Sequence, residues 1–230
     1  MAERSGTWPT SSLIGTLTEQ ERRELLHLGT KVEFPHKAVL VLQGAEDNDV
    51  LYILLDGFAK VTVDTADGSH TVLAIRSRGD LIGEFALLDG GPRTATVTAI
   101  NTVVAVRIGK SAIETFLADH PDTRGKVIAS LLAKMRTSTE RRVEAKAWGA
   151  RERLARLLCE LVERYGEDSP DGVVVGLPLS QFELGGLAGA GEATTERVLN
   201  EFRQAGLIRT SWRRITVLDV AKLRSLWHGN

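Results

Sequence analysis

Gly83-Glu84-Phe85-Ala86-Leu87-Leu88-Asp89-Gly90-Gly91-Pro92-Arg93-Thr94-Ala95-Thr96-Val97 sets one carboxylate and one guanidinium around a short apolar turn. A site of that size suits a nucleotide. Backbone N–H groups at the start of a short helix, near Phe85 and Ala86, can face an anion, and Arg93 can grip the same phosphate through a two-pronged, charge-assisted contact. Glu84 needs a different task, because a carboxylate repels a phosphate. It suits a sugar hydroxyl, provided that neighbouring cations keep it in place. Thr94 adds a hydroxyl and the small Ala95 leaves room. A plainer alternative treats the glycines and Pro92 as loop punctuation and Glu84 with Arg93 as a surface ion pair. Such pairs are common and weak, but they do not account for the whole string.

Outward from that stretch, β-branched or apolar runs at 38–42, 50–55, 58–65, 71–76, 94–100 and 103–108 are separated by Gly44, Asp56-Gly57, Asp67-Gly68, Gly79-Asp80 and Asn101. Short runs at regular spacing with turn residues between them predict an antiparallel β-roll. Jelly rolls of this kind close a small ligand cavity, and the quoted stretch falls between two of the strands. A short helix precedes the roll over 18–28, with Thr18 as cap and Glu21 three residues on. Another follows over 110–118 and stops near His120-Pro121. The run 122–147 reads as one long helix, because no proline interrupts it and Ile128, Leu132, Met135, Thr139 and Val143 recur at steps of four or three. Two such helices can pair. Thr139, with Ser138 beside it, breaks the apolar seam, either to fix register and partner number or to meet the base of a bound nucleotide, one hydroxyl coming from the partner subunit.

The quoted string resembles the phosphate-binding cassette of cyclic-nucleotide-binding domains, with Gly83-Glu84, the apolar Ala86-Leu87-Leu88, then Pro92-Arg93-Thr94-Ala95-Thr96-Val97. From about 17 to 218 the chain is similar to the cyclic-AMP receptor protein/fumarate-nitrate regulator (Crp/Fnr) family of bacterial transcription regulators. The resemblance implies roles residue by residue. Gly83 and Glu84 match positions near the ribose, Arg93 and Thr94 match those at the cyclic phosphate, and Ser138 and Thr139 match two hydroxyl residues that contact adenine. Lys134 stands where the family has an arginine reaching toward the phosphate side; it keeps the charge and loses the planar fork. The implied ligand is cAMP. An Arg-Thr pair also occurs in cyclic-GMP-preferring domains, which keeps cGMP as a second candidate.

In the last third, 180–188 reads as a short helix capped by Ser180, Gly189-Ala190-Gly191 as a turn, and 192–205 as a second helix stopped by Gly206. Leu184 and Leu187 are expected to pack on Val198, Leu199 and Phe202. Two short strands follow, at 207–210 and 215–218, around the basic turn Ser211-Trp212-Arg213-Arg214. This resembles the winged helix-turn-helix of the same family, including Ala205-Gly206-Leu207-Ile208. A recognition helix of that kind enters the major groove with its first turns against base edges. The candidates there are Glu192, Ala193, Thr195, Glu196 and Arg197, with Arg197 suited to guanine and Thr195 to a thymine methyl. Ser180 offers a phosphate contact, and the neighbouring Gln181 replaces a family arginine. Glu183, Glu192, Glu196 and Glu201 face only Arg197 and Arg203 in this segment. Attraction to phosphates therefore has to come from Arg209, Arg213 and Arg214 in the wing, from the rest of the surface and from two copies in a homodimer. The wing also reads as a plain solvated turn.

The 230 residues, 43% of them hydrophobic, can supply two cores. The expected α+β organisation is a cyclic-nucleotide-binding β-roll at 1–119, a dimerisation helix and hinge at 120–148, and a winged helix-turn-helix DNA-binding domain at 149–230. The first thirty residues are charged throughout, without a long apolar run, which speaks against secretion or membrane association and for the cytoplasm. The first dozen read as mobile. The single Cys159, among Leu157, Leu158, Leu161 and Val162, reads as a core thiol and excludes an internal disulfide or a four-thiolate centre within one chain. His27, His36, His70, His120 and His228 lack metal-ligand spacing. Neither a metal nor an enzymatic activity is expected. The functional expectation is a cyclic-nucleotide-responsive homodimer that binds palindromic double-stranded DNA. Its ligand signal passes along the long helix, by Arg141, Arg142 and Trp148, to two recognition helices roughly 34 Å apart. The resemblance implies RNA polymerase as a protein partner; 166–172 lies where family members touch it, yet its composition is that of any turn. The alternative is a nucleotide sensor acting through protein contacts, with weak or no specific DNA binding.

Overall fold

The apolar run Val50-Leu51-Tyr52-Ile53-Leu54 has no polar face to give to water. In the computed structural model, which describes residues 8–47, 49–64, 68 and 70–228, it is buried on both sides. Contacts divide the chain into two compact units, 1–136 and 137–230. The first holds α1 (Leu13–Thr16), α2 (Glu19–His27), β1 (Thr30–Phe34), β2 (Val39–Val41), β3 (Val50–Asp56), β4 (Ala59–Asp64), β5 (His70–Arg76), β6 (Leu81–Ile82), α3 (Glu84–Asp89), β7 (Thr96–Ala99), β8 (Val103–Gly109) and α4 (Lys110–Asp119). The division falls inside α5 (Pro121–Ala147). Two four-stranded antiparallel sheets, ordered β1-β8-β3-β6 and β2-β7-β4-β5, make the roll. Val50, Tyr52 and Leu54 join Ile82, Val97, Ala99, Val103 and Ala105 in a core drawn from both sheets. The alternate residues Leu51 and Ile53 join Val106, Ile108, Ile113 and Phe116 beneath the helices. Period-two alternation thus explains a strand with no polar face: one side packs on sheet, the other on helix.

The capping box anticipated at Thr18 and Glu21 is present, and it has a second use. Glu21 also accepts hydrogen bonds from Thr123 Oγ1 at 3.0 Å and Lys126 Nζ at 2.7 Å, fastening the start of α5 to α2. The Lys126 ammonium, then the backbone of Thr18, pull the Glu21 carboxyl down to about 2. Three short elements, α1, β1 and β6, are additions to the sequence reading. Trp8 and Ser12 are packed, contrary to a wholly mobile first dozen. Ser12 is buried and caps α1, and the Arg78 guanidinium lies 4.2 Å from the Trp8 ring centroid. Residues 1–7 of that stretch lie outside the described ones.

The second unit contains α6 (Ala150–Tyr165), β9 (Gly166–Ser169), β10 (Gly172–Val175), α7 (Gln181–Ala188), α8 (Glu192–Gln204), β11 (Ile208–Ser211), β12 (Arg214–Val217) and α9 (Val220–His228). Leu154, Leu157, Leu158 and Leu161 form the buried stripe of α6, and Cys159 is buried with them, which raises its thiol pKa. The stretch 166–172, which reads as a plain turn, is mostly hairpin: β9 pairs with β10, and β10 with β12, giving the sheet order β11-β12-β10-β9. Arg141 reaches Glu160 at 3.4 Å, Arg156 pairs with Glu144, and the Trp148 and Trp227 rings lie 6.0 Å apart, joining the end of α5 to α6 and α9. Arg142 is exposed. Among the described residues, no helix is long and apolar enough to cross a membrane.

Candidate functional site

Gly83 opens α3 in the left-handed region, at φ 89°, and a Cβ there would lie 2.6 Å from Arg93 Nη1. Glycine is the residue that allows both the turn and the close approach. It has no side chain to cap α3, and the first N–H groups of a helix, here at Glu84, Phe85 and Ala86, find no carbonyl inside it. Arg93 is 4% exposed and donates from Nη1 to Gly83 O at 2.9 Å and from Nη2 to Val50 O at 2.8 Å. These two bonds fix the guanidinium plane before any ligand arrives. The exposed Asp47 carboxylate lies 3.6 Å from Nη2. Backbone bonds from Arg93 N to Ala45 O and from Gly44 N to Arg93 O hold the turn against its neighbour. Thr94 is exposed and Ala95 half-buried.

Glu84 is also 4% exposed, with its carboxylate 2.5 Å from Lys134 Nζ, which donates in addition to Leu81 O at 2.8 Å. The surface-pair alternative for Glu84 and Arg93 is therefore excluded, since both are buried and each has other partners. Lys134, expected toward the phosphate side, is the cation that holds Glu84. Its flexible stem carries the ammonium to the buried carboxylate, where an uncompensated charge is costly. Burial lowers the Lys134 pKa, with the Glu84 charge opposing that shift. Ser138 follows Lys134 by one turn of α5, and both Ser138 and Thr139 are exposed. The apolar stripe of α5 is exposed as well: Ile128 and Leu132 at 48%, Met135 at 57% and Val143 at 61%.

In the second unit, Ser180 caps α7 and its N–H donates to Glu183, a capping box that takes Glu183 out of the acidic surface. The Ser180 hydroxyl accepts from Glu183 N, which leaves its O–H available to donate. Gln181 is half-buried beside it. A Cβ on Gly185 would lie 2.7 Å from Thr195 Oγ1, so α7 and α8 meet closely at that glycine. Thr195 is consequently fully buried and donates its hydroxyl to Gly191 O at 3.0 Å. The expectation that it meets a thymine methyl is withdrawn. Glu192, Ala193, Glu196 and Arg197 do share the exposed side of α8. Arg197 bonds Glu201 at 2.5 Å, and Arg151 approaches the same carboxylate at 3.8 Å, so much of the anticipated acidity is internally matched. Arg213 and Arg214 are exposed at the wing tip. Among the described residues, no group of three or more His, Cys, Asp or Glu side chains is placed to hold a metal ion.

Residues 31–120 match the family model of the cyclic nucleotide-binding domain, and 152–226 that of the Crp-like helix-turn-helix domain. The chain is 29% identical over 192 residues to a CRP-like cAMP-activated global transcriptional regulator of Mycobacterium tuberculosis, covering 84% of this chain and 85% of the relative. It is 21% identical over 215 residues to the anaerobic regulatory protein of Haemophilus influenzae, covering 94% and 83%. A solved CRP-family transcriptional regulator of Thermus thermophilus has the same fold, with a TM-score of 0.73 at 26% identity, over 86% of this chain and 96% of that one.

Proposed function

The chain belongs to the Crp/Fnr family of transcription regulators, and we propose that it works as a homodimer that binds cAMP in the roll and palindromic DNA through α8. The observation that carries this reading is the fixed guanidinium of Arg93, aimed by two carbonyls beside the uncapped start of α3. The remaining donors of Arg93 take the cyclic phosphate with the N–H groups of Phe85 and Ala86, and Thr94 and Ala95 border it. Glu84, oriented by Lys134, accepts from the ribose hydroxyl at Gly83. Ser138 and Thr139 meet adenine, one of them from the partner subunit, and the cAMP-activated relative supports adenine over guanine.

The exposed stripe of α5 supports dimerisation, because pairing two such helices takes Ile128, Leu132, Met135 and Val143 out of water. On DNA, Glu192, Glu196 and Arg197 face base edges, while Ser180, Gln181, Arg213 and Arg214 meet phosphates. The working parts are the roll at 1–119, the helix and hinge at 120–148 and the reader at 149–230, in a cytoplasmic protein that addresses RNA polymerase. Two experiments test the reading. Calorimetric titration should show cAMP binding more tightly than cGMP. Selection from a random DNA pool should enrich a palindrome with cAMP and far less without it; nucleotide binding without enrichment in either condition would instead favour a sensor that acts through protein contacts.

A further inference from the structure

Trp212 is 88% exposed, more than any other exposed large hydrophobic among the described residues. A single exposed apolar residue is ordinary, and the surroundings of this one are not. Ser211 and Arg214 are the last pair of β11 and β12, so Trp212 and Arg213 form a two-residue tip. Arg213 is left-handed at φ 51°, a backbone state that a residue with a Cβ disfavours. The hairpin beneath is braced on both flanks. Arg209 bonds Asp171 at 2.8 Å on the β9–β10 side, and Arg203 of α8 donates to Thr210 Oγ1 at 2.7 Å. The Arg213 guanidinium lies 5.8 Å from the indole centroid, within cation–π range. Residues 209–216 contain three arginines and no carboxylate.

We propose that Trp212 is a DNA contact whose indole wedges into the minor groove flanking the major-groove segment faced by α8, while Arg213 and Arg214 hold the bordering phosphates. The inference rests on the DNA-binding function proposed above and adds to it a reading residue outside the recognition helix. The chemistry favours this occupant. The Arg203 link ties the hairpin to the C-terminal end of α8, so the tip lies beyond the bases met by the first turns of that helix. A two-residue tip is narrow enough for a groove about 6 Å wide. An apolar wedge there unstacks a base step and is read as deformability, with flexible pyrimidine–purine steps preferred. The wing then supplies sequence preference at positions that α8 does not reach.

The test uses the full chain, cAMP and the duplex that the wild-type protein enriches from a random pool. W212A should weaken binding about tenfold, leave the salt dependence unchanged and flatten the base preference flanking the half-sites, with W212F retaining most of the affinity. R213A or R214A should instead lower the slope of log affinity against log salt by about 0.9 each. The fluorescence difference between wild type and W212F should lose its acrylamide quenching when the duplex is added. Failure of any duplex to be enriched removes the DNA reading and this inference with it. An enriched duplex that W212A binds within about twofold of wild type, with the indole still quenched, overturns the wing contact alone. So does a W212A protein that loses binding to phosphatidylserine–phosphatidylcholine vesicles and keeps its DNA affinity, because the tip would then serve a lipid surface.

Discussion

Arg93 in the roll and Arg197 on α8 are both set to meet negative charge, and the protein holds them in opposite ways. Arg93 is buried, and two backbone carbonyls fix its guanidinium. Arg197 has a side chain 65% exposed and bonds Glu201 one turn along the same helix. The small ligand therefore meets a donor that folding has already immobilised, which removes an ordering cost from binding. The polyanion meets a donor that has to leave Glu201, and an exposed pair of that kind contributes little. Damage to the first site should cost folding and ligand together, whereas damage to the second should change affinity and salt dependence alone.

The largest effect on ligand binding is expected from Arg93→Ala. It should abolish measurable nucleotide heat and destabilise the roll by about 2 kcal/mol, since the buried Val50 carbonyl loses this donor and the Gly83 carbonyl keeps only the more distant Leu87 N. An unchanged urea midpoint would break the contrast, because Arg93 would then brace nothing. Lys134→Met leaves the buried Glu84 carboxylate unpaired and should cost about 3 kcal/mol, while the double variant with Glu84→Gln recovers most of it. Independent, additive losses would show that the two side chains do not act as a pair. Glu21→Gln extends the contrast to a charge that only braces the scaffold, and should cost about 2 kcal/mol at neutral pH. The folded-state pKa of Glu21 is depressed from 4.5 to about 2. Its contribution is complete above the upper value and is lost as pH falls toward the lower one. Wild-type and variant stability curves should converge in acid, and curves that stay parallel would contradict the assigned cause. Glu201→Gln gives the smallest effect: DNA binding tighter by about threefold and stability within about 0.5 kcal/mol of wild type. Weaker binding would mean that Glu201 positions Arg197 rather than restrains it.

The sequence discloses the cassette because its constraints are local. A left-handed Gly83, an acidic residue after it and an arginine after a glycine–proline turn sit within one short string. The long strands are legible for a similar reason, since β3 needs no information beyond its own apolar run. What escapes depends on partners. Strand β1, Thr30–Phe34, is an edge strand in which only Val32 and Phe34 are half-buried, leaving a weak apolar signal. Strand β9, Gly-Glu-Asp-Ser, has no apolar signal at all and is drawn into the sheet by β10. Thr195 looks solvent-facing until Gly185, across the helix pair, is seen to lie against it. Lys134 likewise takes its role from Glu84, fifty positions away in the chain. The apolar stripe of α6 is a missed signal of a different kind. Leu154, Leu157, Leu158 and Leu161 have helical spacing on their face, and period counting alone finds them.

The central claim is that nucleotide in the roll and DNA on α8 are energetically linked. The most direct measurement is the cAMP dissociation constant determined by calorimetry with and without a saturating amount of the enriched duplex. Linkage requires the duplex to tighten cAMP by the same factor by which cAMP tightens the duplex. A matching gain, typically about 5- to 150-fold, is the predicted result; equal cAMP affinities in the two titrations would contradict the account.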